Sequence, residues 1–127
     1  MYYAVRAAKV SGNQTFLVDR TTFSNNLVSV WSSGVNNCVI TRNTINLSYP
    51  DISTYGIMVS SATGFTVEEN TINKVSTTQQ VFGVRIIGSG ANNNLIYKNT
   101  FNNVDVSCYS EGINSGYVGF MDWRGLV

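Results

Sequence analysis

Apolar and polar residues alternate over short runs along this chain, as in GIMVS at 56–60 and FTVEE at 65–69. A period of two residues is typical of β-strands and differs from the period of an amphipathic helix. Glycine and asparagine residues separate the runs. Because strands this short cannot bury an apolar face alone, the pattern predicts an all-β chain whose strands stack on copies of themselves.

The motif Asn-Thr-Ile or Asn-Thr-Phe occurs three times and marks an internal repeat. Its copies begin at Asn43, Asn70 and Asn99, and Thr21 of RTTF takes the same place in a degenerate copy. Apolar residues recur three positions before and two positions after this place: Val18, Ile40, Val67 and Ile96, then Phe23, Ile45, Ile72 and Phe101. Internal repeats separated by about 20–50 residues are the signature of solenoids and related arrays.

A second register repeats together with the first. Three asparagines each precede a glycine by the same interval: Asn46 and Gly56, Asn73 and Gly83, Asn102 and Gly112. Stacking one copy on the next would bury a shared interior and pair each backbone with its neighbours. The two registers predict a parallel solenoid of about five coils, each with about three short strands.

The repeated asparagines have a structural explanation. Asparagine tolerates the left-handed backbone region better than most residues, so it suits a tight bend between the second and third strands of a coil. In stacked coils Asn43, Asn70 and Asn99 would lie above one another, with side-chain amides that donate and accept along the column. We therefore predict an asparagine ladder at one corner rather than chemistry at these residues.

The stretch YGIMVSSATGFTVEENTIN at 55–73 resembles the right-handed parallel β-helix repeat of the pectate-lyase-like superfamily. The resemblance covers about residues 4 to 115. It implies a right-handed parallel β-helix, with 57–60 and 84–87 on the first strand of a coil, and a secreted or cell-surface location. It implies no single activity, because the fold hosts lyases, hydrolases, epimerases and non-catalytic carbohydrate-binding proteins.

Enzymes of this superfamily act in a groove on the outer face of the first sheet, beside the loops that lead into it. The corresponding loops here are 47–55, 74–82 and 103–111. The resemblance places Ser29, Met58, Arg85 and Asn114 in one outward column, with Tyr55, Phe82 and Glu111 just before the strands. The candidate glycan-contacting residues are Tyr55, Met58, Phe82, Arg85, Glu111 and Asn114. Ordinary loop packing of the aromatic rings is the alternative.

The chain offers little for catalysis. It contains no histidine and no arrangement of paired carboxylates of the kind that glycoside hydrolysis requires. Arg85 as a base, with Asp51, Asp105 and Glu111 around calcium, would suit a lyase, but the sequence does not align these acids. Cys38 is predicted to face the interior and Cys108 to lie in a loop, so we expect no disulfide, no metal site and no cofactor.

The charge balance excludes several partners. Charged residues make up 12% of the chain and the formal net charge is +1, so no basic footprint for nucleic acid is present. No apolar run is long enough for membrane insertion, and no signal peptide is visible.

We therefore expect a single β-helix segment over residues 1–127, in which 113–127 form a partial last coil, a cap or an oligomer contact. The expected function is that of a non-catalytic scaffold segment of a surface or secreted protein that contacts polysaccharide. The alternative is a fragment of a lyase or epimerase acting on acidic polysaccharide. Since no capping helix precedes the first repeat, we also expect a homo-oligomer or a longer chain joined through open solenoid ends.

Overall fold

The computed structural model describes residues 2–9, 11–89 and 93–112, together with the backbone of 117–118 and 122–123. All regular structure in this part of the chain is β-strand. The strands are β1 (Tyr3–Ala8), β2 (Leu17–Asp19), β3 (Thr22–Ser24), β4 (Val28–Ser33), β5 (Val39–Thr41), β6 (Thr44–Leu47), β7 (Thr54–Ser60), β8 (Thr66–Glu68), β9 (Thr71–Lys74), β10 (Val81–Ile87), β11 (Asn94–Tyr97), β12 (Thr100–Asn102), β13 (Val106–Glu111), β14 (Tyr117–Val118) and β15 (Asp122–Trp123).

The strands form three parallel sheets, each containing every third strand of the chain. Sheet A has the order β1-β4-β7-β10-β13, sheet B β2-β5-β8-β11-β14, and sheet C β3-β6-β9-β12-β15. Strands β1 to β12 therefore make four turns of a parallel β-solenoid, and the last three strands add one more to each sheet. The predicted all-β solenoid with three strands per coil is confirmed. In the described part of the chain no helix is long and apolar enough to cross a membrane.

The interior consists of files of apolar side chains, one from each coil. On sheet C the register aligns Phe23 with Ile45, Ile45 with Ile72 and Ile72 with Phe101. On sheet B it aligns Val18, Ile40, Val67 and Ile96 in the same way. All eight side chains are buried, so both predicted apolar columns are confirmed. Stacking the coils buries these side chains, and the burial of each one contributes about 1.5–3 kcal/mol to the free energy of folding.

The asparagine ladder lies at the bend between sheets B and C. The side-chain amide of Asn43 donates to Asn70 Oδ1 at 2.9 Å, and that of Asn70 donates to Asn99 Oδ1 at 2.9 Å. Each amide also donates to a backbone oxygen of the preceding coil: Asn43 to Val18, Asn70 to Ile40 and Asn99 to Val67. The ladder asparagines are buried, and the predicted ladder is confirmed.

The bend itself differs from the prediction. The left-handed residue is the one before each ladder position: Arg20, Arg42, Glu69 and Lys98 have φ between 50° and 54°. The ladder asparagines Asn43, Asn70 and Asn99 are not among the residues with positive φ. The prediction assigned the left-handed conformation to the ladder asparagine itself, one position too late in the chain.

The second predicted register, in which a glycine recurs in each coil, holds only in part; we call it the glycine register. Gly56 and Gly83 are neighbours in sheet A, because Tyr55 pairs with Phe82 and Ile57 with Val84. A Cβ at Gly83 would lie 2.4 Å from the Phe101 ring, so no side chain fits there. In the next strand Phe82 pairs with Val106 and Val84 with Cys108, which places Ser107 opposite Gly83. Gly112 therefore lies outside this file, and the predicted equivalence was wrong for the last copy.

Cys38 and Cys108 are not joined by a disulfide. Cys38 is fully buried in the interior, as predicted, and burial raises the pKa of its thiol. Cys108 lies in β13 rather than in a loop, because β13 begins earlier than the glycine register indicated.

Replacing Asn70 with alanine tests the ladder. The change leaves the Asn43 backbone N–H and the Ile40 oxygen without their amide partner. Each buried group that loses its partner costs about 1–3 kcal/mol, so we expect roughly 3–5 kcal/mol less free energy of unfolding in urea. Asn13→Ala, in an exposed turn, should change it by less than about 0.5 kcal/mol. Equal effects of the two substitutions would contradict the ladder's role.

Candidate functional site

The outer face of sheet A carries two files of side chains across the coils. The first file contains Tyr3, Val28, Tyr55, Phe82 and Val106, and the second contains Arg6, Trp31, Met58, Arg85 and Tyr109. Strict alternation breaks between the files, because residues 56 and 57 are both buried. Residues three apart in sequence, such as Tyr55 and Met58, therefore line the same depression on this face.

The predicted outward column is right for Met58 and Arg85 and wrong for Ser29. Ser29 is fully buried, and Trp31 pairs with Met58 in its place. The predicted Asn114 lies outside the described residues, and the strand position next to Arg85 belongs to Tyr109. Glu111 pairs with Ile87 at the end of β13, not at the start of the strand as the glycine register implied.

The later coils bring four of the predicted residues together. The rings of Tyr55 and Phe82 stack with centroids 4.9 Å apart. The guanidinium of Arg85 lies 5.1 Å from the Tyr55 ring centre and forms an ion pair with Glu111. Tyr109, which sequence reasoning missed, meets the edge of Phe82 at 5.8 Å. A similar group lies on the earlier coils, so we call these five residues the second cluster: Tyr55, Phe82, Arg85, Tyr109 and Glu111. Met58 is almost completely buried beside it.

The first coils carry a similar group that the sequence did not reveal. Tyr3 and Trp31 lie with ring centroids 5.3 Å apart. The Arg6 guanidinium lies 4.6 Å from the Trp31 ring centre, and Trp31 Nε1 donates to Ser60 Oγ at 3.2 Å. We call Tyr3, Arg6 and Trp31 the first cluster. Arg6 and Trp31 pair on neighbouring strands of different coils and are far apart in sequence, so no local motif reveals the cluster.

A depression of about 400 Å³ joins the two clusters. Its walls are mainly aromatic and aliphatic, with Arg85 at the end nearer the second cluster. The lining side chains are Tyr3, Leu27, Val28, Trp31, Ile52, Ser53, Tyr55, Met58 and Arg85. Rings on two strands, a guanidinium and an open concave surface form one continuous site on the outside of sheet A.

Two charged groups near this surface, Arg85 and Asp105, form ion pairs. A hydrogen bond to Glu111 raises the pKa of Arg85, which keeps the guanidinium charged. Asp105 directly precedes β13, where it accepts hydrogen bonds from Lys74 Nζ at 2.9 Å and from the Val81 N–H at 2.6 Å. Asp51 is exposed. Within the described part of the chain, no three Asp, Glu or Cys side chains gather into a possible metal site.

Comparison of the chain with protein-family models, with curated proteins and with solved structures gives no match.

Asp105 accepts hydrogen bonds from Lys74 and from the Val81 N–H, and we call this arrangement the Asp105 clamp. The clamp predicts that the stability of the protein is sensitive to acid. Burial opposes ionisation of this carboxyl, but hydrogen bonds from Lys74 and Val81 outweigh it and hold the pKa below its usual value. Its stabilising contribution is therefore present above the unfolded pKa of about 3.9 and is lost as the pH falls through the lower folded pKa. Between roughly pH 6 and pH 3, thermal denaturation should show a smaller loss of stability for Asp105→Asn than for the parent chain. Asp51→Asn should retain the parent's acid sensitivity, and an unchanged profile in Asp105→Asn would exclude the clamp.

Proposed function

We propose that this chain is a non-catalytic β-solenoid segment of the pectate-lyase-like class, from a surface or secreted protein, whose sheet A binds carbohydrate. The observation that carries the proposal is the pairing of two aromatic–arginine clusters on one face, joined by an open depression. The same segment serves as a rigid scaffold that holds this face in place.

Sugar rings suit a surface of this kind. They present apolar C–H faces that pack on aromatic rings, and hydroxyl groups that accept hydrogen bonds from guanidinium donors. Trp31 and Tyr55 supply rings on the neighbouring strands β4 and β7, and Arg85 supplies the donors. Because these side chains stand on paired strands and pack on one another, little conformational entropy is lost on binding.

The clusters also favour a long ligand over a single sugar. Successive strands of a sheet lie about 4.7–4.9 Å apart, and the clusters span β1 to β13, so the face extends over roughly 19 Å along the solenoid axis. A chain of sugars lying along this axis would contact both clusters at once. Two linked contacts raise the apparent affinity without requiring either one to be strong.

The non-catalytic part of the proposal rests on how the polar groups are used. A proton-abstracting arginine needs a lowered pKa, whereas the ion pair with Glu111 raises that of Arg85. Asp105 is held by Lys74 and by a backbone N–H, which fixes the loop before β10. These contacts support a binding surface rather than a lyase or epimerase centre.

Association through the first coil is a further part of the proposal. Val18 and Phe23 retain 8% and 7% exposure, while their counterparts in the next two coils have none. Leu17 is 63% exposed beside an apolar depression at this end of the solenoid. A strand edge next to exposed apolar side chains favours pairing with another coil, from a second copy or from a longer chain.

Carbohydrate binding is tested with a glycan array that includes neutral and acidic polysaccharides, followed by titration calorimetry on the best ligand. Trp31→Ala and Tyr55→Ala should each weaken binding about tenfold or more, since truncation of a central aromatic contact removes at least about 1.4 kcal/mol. Tyr97→Ala, on the outer side of sheet B, is the matched control and should retain the parent affinity. A blank array would leave only the scaffold role.

The same polysaccharides, incubated with and without calcium, provide the test for catalysis. We expect no unsaturated uronate to be released. Release that disappears in Arg85→Ala would establish the lyase alternative.

Static light scattering tests association. We expect a mass above the 13.9 kDa of one chain. Leu17→Lys should lower that mass, because it places a charge at the exposed end, whereas Thr66→Lys on the same outward file of sheet B should not. A single species of 13.9 kDa in the parent chain would refute association.

A further inference from the structure

The outer face of sheet C carries two files of hydrogen-bonding side chains that neither the ladder nor the carbohydrate surface uses. The first contains Thr22, Thr44, Thr71 and Thr100, and the second contains Ser24, Asn46, Asn73 and Asn102. In each strand a buried Phe or Ile separates the two. Because side chains alternate along a strand, both files lie on the outer side of the sheet. We call them the sheet C grid.

The sheet C grid is rigid before anything binds. Asn73 Nδ2 donates to Asn46 Oδ1 at 2.8 Å, and Asn102 Nδ2 donates to Asn73 Oδ1 at 2.7 Å. These bonds form a second chain of amides on the outside of the solenoid. The threonines of the other file are β-branched, which restricts their χ1 rotation. Little side-chain freedom therefore remains to be lost when the face meets a ligand.

The spacing of the grid is regular in both directions. Neighbouring strands lie about 4.7–4.9 Å apart, and alternate residues within a strand are roughly 6.6 Å apart. The register is unbroken from β3 to β12, so the grid repeats over four coils. Repeats of similar size separate the oxygen atoms on the faces of hexagonal ice.

The grid presents hydrogen-bond donors and acceptors, as a layer of ordered water does. Its eight positions hold hydroxyl and amide groups, with no charged and no aromatic side chain. Within the described residues, the threonine hydroxyls of Thr44, Thr71 and Thr100 have no hydrogen-bond partner in the protein, and their side chains are half-buried. Each of these hydroxyls is therefore available to donate to and accept from water. The nearest charges lie at the margins, in the bend residues such as Arg42 and in the Lys74–Asp105 ion pair.

We propose that the sheet C grid binds ice. Its hydroxyl and amide groups take the places of water molecules at an ice surface, and the threonine methyl groups displace water that is less well ordered. A polysaccharide is the poorer occupant, because the grid lacks the aromatic rings that sheet A provides. The inference is independent of the proposed carbohydrate site, which uses a different sheet.

Thermal hysteresis, the gap between the melting and freezing points of a single ice crystal, provides the test. The parent chain should give measurable hysteresis and facetted crystals. Thr71→Tyr, which raises a bulky ring from the middle of the grid, should at least halve the hysteresis, and the double variant with Thr44→Tyr should abolish it. Thr66→Tyr makes the same change on the outer side of sheet B in the same coil and should have no effect. Circular dichroism of each variant verifies that the fold is intact.

Three results would overturn the proposal. One is a folded parent chain with neither thermal hysteresis nor inhibition of ice recrystallisation. Another is an equal loss of activity in Thr66→Tyr. The third is retention on crystalline cellulose or chitin that Thr71→Tyr abolishes, since this would assign the grid to a polysaccharide. Trp31→Ala, on sheet A, should keep the full ice activity even where it loses glycan binding.

Discussion

The buried amides of Asn43, Asn70 and Asn99 form one hydrogen-bonded chain inside the solenoid, and the register of every sheet depends on it. Each amide bonds to the coil before it through a backbone oxygen, and Asn43 and Asn70 also bond to the coil after them through the next side chain. A slip of one residue would leave several buried donors and acceptors without partners, at about 1–3 kcal/mol each. In a buried, weakly polar setting such bonds also strengthen one another. The ladder thus selects a single alignment of coils where apolar packing alone would tolerate several.

A fixed register turns a repeat in sequence into straight files on the outer faces. Sheet A presents rings and guanidinium groups, whereas sheet C presents hydroxyls and amides, although the interior behind both is built of the same aliphatic and aromatic residues. The two surfaces can therefore differ in chemistry without any change in the core. The loops that join the sheets vary in length between coils, and this variation stays outside the paired strands. Two separate binding surfaces on one small scaffold are a consequence of this arrangement.

The sequence predicted the solenoid, the interior columns and the ladder because these follow from short-range spacing within each Asn-Thr-Ile copy. It failed where alignment depends on loop length. The segment between β12 and β13 spans 103–105 and is shorter than the segments 48–53 and 75–80 of the two preceding coils, which moved Tyr109 into the outward file and Gly112 out of its expected place. Trp31 was missed because the resemblance put Ser29 in the outward column, whereas the register pairs Trp31 with Met58. The sheet C grid was visible in the Thr and Asn of the repeat, but its regularity only has meaning once the strands are known to be in register.

Stability in such a stack is local, because each coil gains its burial mainly from the coils on either side. Within the described residues the first coil is paired on one side, and its interior residues Val18 and Phe23 are correspondingly less protected than Ile40 and Ile45. Opening should therefore begin at this end and proceed coil by coil, with the middle coils opening last. Tyr55, Arg85 and Thr71 all belong to those middle coils. Fraying of the first coil would therefore leave these three residues in place, but it would displace Tyr3 and Arg6, which belong to that coil and to the first cluster.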